Sequence, residues 1–153
     1  MVHVPAQPYP ALDQLRVVDA MHPGLITCSL DIPLRTVARM MATYRVHAIL
    51  VTAHGEEELA GGGLWGVISD ADLLRAAQAG NLDERSARTI AATPALMVDA
   101  SQDLARAAQL MVEHDASHLI VIEPRSTRPI GVLSTLDIAR ALAGFPERHP
   151  FSP

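Results

Sequence analysis

Laid against itself with an offset of 70, the chain matches Leu34, Ala38, Met41 and Val51 to Leu104, Ala108, Met111 and Val121. With an offset of 65 it matches Gly66, Val67, Ser69, Asp72, Arg75 and Ala76 to Gly131, Val132, Ser134, Asp137, Arg140 and Ala141. A chain written twice from one unit is confined to architectures in which that unit recurs. The change of offset assigns five additional residues to the first copy's loop "TAHGEEELAGGG", Thr52 to Gly63. A surface loop absorbs such an insertion at little thermodynamic cost.

Each copy has the same order of segments. A short apolar strand, Leu25 to Cys28 or Leu96 to Val98, precedes a helix with apolar residues at helical spacing. Those residues are Leu34, Val37, Met40 and Met41 in one copy and Leu104, Ala107, Ala108, Leu110 and Met111 in the other. Pro33 suits the first turn of the earlier helix. Two strands follow, Ala48 to Val51 with Leu64 to Ile68, and Leu119 to Ile122 with Ile130 to Leu133. A last helix begins after Ser69 or Ser134, and Gly80 and Gly144 are suitable stops. The expected fold is therefore α/β of the α+β kind: two β-α-β-β-α repeats packed as one pseudo-two-fold module. The repeats span 15–79 and 86–144, with a linker at 80–85 inside the polar stretch "GNLDERSARTI", which also has room for a short helix. The Pro-rich ends, 1–14 and 145–153, read as flexible tails.

Composition narrows the function. The chain has 153 residues, of which 49% are hydrophobic and 3% aromatic, enough for one core or two small ones. Its apolar runs, such as "HAILV" and "HLIVI", fall far short of the roughly 18 to 20 residues that cross a bilayer, so no membrane partner is expected. The start of the chain has neither the basic nor the apolar region of a signal peptide, and Cys28 is the single cysteine. A reducing cytoplasm is the expected setting. A net charge of −5 without a basic run argues against a nucleic-acid partner, which needs clustered Lys and Arg.

The chemistry lies at the repeated junction, "GVISDADLLRA" and "GVLSTLDIARA". A serine at the end of a strand and start of a helix can present its hydroxyl, with the helix's free N–H groups, to a phosphate. A carboxylate three residues later can accept hydrogen bonds from the two hydroxyls of a ribose. Ser69 with Asp72, and Ser134 with Asp137, fit both requirements. They equally fit a helix cap of the S-x-x-D type, which stabilises a helix by about 0.5 to 2 kcal/mol. Recurrence in two otherwise diverged copies brings the ligand reading level with the cap, and the two roles can coexist.

The repeated β-α-β-β-α unit carrying "GVIS-x-x-D" and "GVLS-x-x-D" resembles a tandem pair of cystathionine-β-synthase-type (CBS) domains. The segment "VVDAMHPGLITC" is similar to that family's leading segment, while its counterpart "TIAATPALMV" is degenerate. The resemblance implies two clefts between the repeats and a non-catalytic role. It implies a stand-alone regulatory or energy-sensing module that takes AMP, ADP, ATP or S-adenosylmethionine, often as a homodimer, and acts on an unidentified regulated protein. No cofactor is required. Carried over by position, the base pocket falls on Ile26, Thr27, Val46 and Ala48 in one copy and Leu96, Met97, Ala116 and His118 in the other. Arg45 and His47, with His114 and His118 in the second copy, are the groups on offer to phosphates. The alternative is a ligand-free dimerisation or docking module with vestigial clefts, favoured by the scarcity of Lys and Arg around the phosphate positions.

The remaining features read as structural. His114 and His118 have the four-residue spacing of a helical metal pair, but "DAS" between them reads as a turn and no Cys or carboxylate completes a zinc set. Cys28 belongs to no recognisable nucleophile motif and reads as a small buried residue. Met40, Met41 and Met111 read as core or dimer-interface filler, and Trp65 as a residue at a strand edge near the first cleft.

Overall fold

A computed structural model describes residues 11–53 and 63–144. The stretches 1–10, 54–62 and 145–153, which include most of both expected tails and of the Thr52 to Gly63 loop, lie outside the described residues. The helices are α1 (Val17–Ala20), α2 (Leu34–Tyr44), α3 (Asp70–Ala79), α4 (Ala87–Ile90), α5 (Leu104–His114) and α6 (Thr135–Leu142). The strands are β1 (His22–Pro23), β2 (Thr27–Ser29), β3 (Ala48–Thr52), β4 (Leu64–Ser69), β5 (Met97–Asp99), β6 (His118–Ile122) and β7 (Pro129–Ser134). The fold is the expected mixed α+β module of two repeats.

One sheet has the order β2-β3-β4 and the other β1-β7-β6-β5. In each, the first strand of the repeat runs parallel to the central one, which pairs antiparallel with the last. The central strands are apolar except for Thr52 at the end of β3 and His118 at the start of β6, because both of their faces are covered. Ile49 and Val51 of β3 join Val37 and Met41 of α2 in one core, and Leu119 and Val121 of β6 join Leu104, Ala107 and Met111 in the other. The alternate side chains, Ala48 and Leu50 of β3 and Ile120 of β6, meet Val67 in a third cluster between the sheets. The helix stripes follow the repeat: Leu34, Val37 and Met41 are buried in α2, and Leu104, Ala107 and Met111 in α5. Full burial of each large aliphatic side chain contributes roughly 1.5 to 3 kcal/mol.

The two repeats exchange their leading segments. Val17 of α1 is fully buried in the core of the second repeat, and Ala87 of α4 is fully buried in the core of the first. The backbone bonds are reciprocal. Val17 N–H donates to Gln102 O and Ala87 N–H to Ile32 O, both at 2.9 Å. Val18 N–H reaches Ala100 O and Arg88 N–H reaches Leu30 O, both at 3.0 Å. Beyond the helices, β1 pairs antiparallel with β7, setting His22 opposite Val132, while Ala92 bridges Val67 of β4 in the matching way. The polar stretch after Gly80 thus carries α4 as a lid on the first repeat's core. Leu12–Gln14, expected in a tail, form a 3-10 turn, with Leu12 and Leu15 packed on the second repeat's core beside Val17.

Candidate functional site

The register brings the candidate residues together. Ser69, at the end of β4, lies opposite Ala48 at the start of β3, and Ser134 lies opposite His118 at the start of β6. The first residues of α3 and α6 are tied to the neighbouring strand starts, Asp70 N–H to His47 O at 2.9 Å and Thr135 N–H to Ser117 O at 3.0 Å. Ile26 and Leu96 flank the same central strands, accepting the N–H of Leu50 and of Ile120 at 2.9 Å. Thr27 pairs with Leu50, and Met97, half exposed, pairs with Ile120. Val46 and Ala116 are the half-buried residues that follow the helix ends at Arg45 and Asp115. Arg45 is exposed and in the left-handed conformation at the end of α2, and Asp115 matches it at the end of α5.

Both junctions are reciprocal helix caps. Ser69 Oγ accepts the Asp72 N–H at 3.2 Å and Asp72 Oδ2 accepts the Ser69 N–H at 2.8 Å. In the second copy the same bonds measure 3.1 and 2.8 Å. Each cap uses one carboxylate oxygen, and the copies differ in what meets the other. Asp72 Oδ1 accepts from Arg75 at 2.8 Å, with the arginine side chain 72% exposed. Asp137 is buried and accepts from Nδ1 of His22, at 2.9 Å on Oδ1 and 3.0 Å on Oδ2. His22 arrives from the leading segment of the other repeat.

A cleft of about 250 Å³ opens at the first junction, lined by Asp72, Arg75, Ala76, Ala79, Arg85 and Ile90. Arg85, from the stretch leading into α4, and Arg75 supply a local cationic character that composition conceals. The repetition of Arg75 as Arg140 was the one available signal; Arg85 comes into place only through the crossing of α4.

His47, Asp70 and His118 form a polar group at the strand starts. His47 Nδ1 bonds Asp70 Oδ2 at 2.9 Å, and His118 Nδ1 bonds Ser117 Oγ at 2.9 Å. Burial alone would push the Asp70 carboxyl up. Hydrogen bonds from His47 and the Ala71 N–H, with the charges of His47 and His118, outweigh burial and hold it below its ordinary value. Burial drives the His118 imidazole below its ordinary value, against the pull of Asp70 and, more weakly, Asp137 and Asp72, while His47 adds to the lowering. Charges from both junctions therefore reach His118. Among the described residues no group of three or more His, Cys, Asp or Glu is placed to hold a metal ion.

A family model described as "CBS domain" matches the sequence twice, at 17–79 and 87–144. The chain belongs to the CBS domain family. No curated protein matches the sequence. Solved CBS structures share its fold. The CBS domain of a bacterial CNNM/CorC family Mg2+ transporter in complex with ATP superposes with a TM-score of 0.70 at 17% identity, covering 88% of this chain and 91% of that one. The CBS domain pair of protein MJ0100, in complex with 5′-methylthioadenosine and S-adenosyl-L-methionine, gives 0.70 at 18% identity, covering 84% and 96%. An uncharacterised conserved protein from Pyrococcus horikoshii gives 0.73 at 15% identity, covering 94% and all of that chain. In this CBS pair, no helix among the described residues is long and apolar enough to cross a membrane.

Proposed function

We propose that this CBS pair is a non-catalytic regulatory module that binds an adenosine-containing ligand at the Ser69–Asp72 junction. The observation that carries the reading is the opening of the Asp72 carboxylate onto a cleft flanked by two guanidinium groups, Arg75 and Arg85. The Arg75–Asp72 pair is on the surface, where such pairs contribute about 0 to 1 kcal/mol, so a ribose diol can displace the arginine at little cost. The displaced guanidinium is then free for a phosphate, beside the first N–H groups of α3. The cleft is smaller than the roughly 300 to 1,000 Å³ of whole-ligand sites and suits the sugar-phosphate part; Ile26, Thr27, Val46 and Ala48, which do not line it, are the base positions that the family resemblance implies. His47 and His118 are nearby partners for further phosphates. ATP and S-adenosylmethionine in CBS pairs of the same fold support this class of ligand.

A ligand regulates only through a difference in affinity between two states. The output we propose is a change in association: as a homodimer or with a regulated protein, in the cytoplasm. Leu74 on α3 and Leu136 and Leu142 on α6 are exposed apolar residues available for it. Calorimetric titration with AMP, ADP, ATP and S-adenosylmethionine tests the reading. At least one of these binds, and Asp72→Ala weakens it tenfold or more, the scale of a lost charge-assisted hydrogen bond of about 1.5 to 3 kcal/mol. Absence of binding by all four would leave the docking-module reading, which the existing partners of both aspartates favour.

A further inference from the structure

We infer that the two junctions are not equivalent stations and that His22 is a built-in plug of the second one. The inference rests on the proposed binding of a ribose diol by the junction aspartates. Such a diol must reach both oxygens of the carboxylate or the one left over from the cap. At Asp137 the cap takes Oδ2, and the His22 ring lies 2.9 Å from Oδ1 and 3.0 Å from Oδ2. The Asp137 side chain retains only 2% of its exposure, against 20% for Asp72. A carboxylate accepts only, so Nδ1 of His22 carries the proton of this bond.

The plug is held by the backbone, which distinguishes it from Arg75. His22 lies in β1, whose register with β7 sets it opposite Val132, and Gly24 N–H donates to Ile130 O at 3.3 Å. Arg75 is a long side chain exposed to solvent, and it can swing away without disturbing the fold. Ala92 supplies the control within the same molecule. It occupies the place of His22 in the exchange, bridging Val67 as His22 faces Val132, and its methyl group cannot reach Asp72. The segment that looked degenerate in sequence is thus the one that leaves its station open. The first station binds, and the second binds only when its histidine is removed or displaced.

The full chain is titrated calorimetrically with AMP, ADP, ATP and S-adenosylmethionine, as wild type, His22→Ala, His22→Ala with Asp137→Asn, and Ala92→His. Wild type takes one equivalent per chain. His22→Ala takes two, and adding Asp137→Asn returns it to one. Ala92→His weakens the first station by tenfold or more. Two equivalents in wild type, one in His22→Ala, or unchanged affinity in Ala92→His overturns the inference. A ligand-free arm separates the plug from the binding proposal: the Nδ1 ¹⁵N resonance of His22 reports a protonated, bonded nitrogen and shifts in Asp137→Asn. If no probe binds any variant, the proposed function fails, while an Nδ1 resonance indifferent to Asp137→Asn overturns the plug itself.

Discussion

The backbone of Gly131 passes so close to the carbonyl oxygen of His22 that no Cβ fits between them, and Gly66 stands in the same relation to Ala92. The glycine of each "GV-x-S" motif is therefore demanded by the leading segment of the opposite repeat. Its own β4 or β7 would accept a side chain there. Alanine at either position must displace backbone, so Gly131→Ala and Gly66→Ala should each cost about 1 to 3 kcal/mol, the range of overpacked sites. Urea denaturation of the two variants measures this, and a loss below 0.5 kcal/mol, on the order of ordinary surface changes, would contradict the crowding.

The exchange of segments also sets the folding unit. A chain ending at Gly80 leaves the first core without Ala87, Ile90 and Ala91. Extending it through Ala92 restores that lid, so the longer fragment should show markedly slower amide exchange in β3 and β4 than the shorter one. Equal protection in both would mean that α4 adds nothing to the first repeat.

Ser134→Ala removes the acceptor of the Asp137 N–H and should cost about 1 kcal/mol, as loss of a cap does. Ser69→Ala should lose a similar amount and also weaken nucleotide binding, because only the first junction is open. Thermal denaturation with and without ATP separates the two effects.

The lowered His118 gives the stability a pH dependence whose sign is fixed. In the folded protein burial disfavours the charged ring, so the unfolded chain binds the proton more readily. The contribution is present above the unfolded value of about 6.5 and is lost as pH falls below it. Denaturation midpoints at pH 7.5 and 5.5 should differ more in wild type than in His118→Gln. Asp70, held low by His47, loses its own contribution only in more acidic solution, so the two groups separate by range.

Burial pushes the Cys28 thiol up to about 11. It should react with a disulfide reagent at neutral pH only at the rate at which the core opens, and in full once urea is added.

Local signals were enough for most of the elements. The stripe Leu34, Val37 and Met41 marked α2, and the β-branched run at Ala48 to Val51 marked a strand covered on both faces. Ser69 and Ser134 sit where the helices begin, and both capping pairs form. What periodicity could not reveal was which repeat each leading segment would cover. Val17 and Ala87 are apolar wherever they are placed, and nothing within a dozen residues of either specifies the opposite core. The same blindness hid His22 as the neighbour of Asp137, since it arrives from the other repeat, while Arg85 reaches the Asp72 cleft by the turn of the chain after Gly80. Two residues of β1 are too few to show an alternation.

A single repeat built on this plan would be incomplete, since its lid belongs to its twin. A chain carrying one copy and closing its core in this way would need a second molecule, and its folding would then depend on concentration. Carrying both copies on one chain replaces that encounter with a tether, making a second-order assembly a first-order one. It also releases the two halves from identity, so that one can carry a histidine where the other carries an alanine.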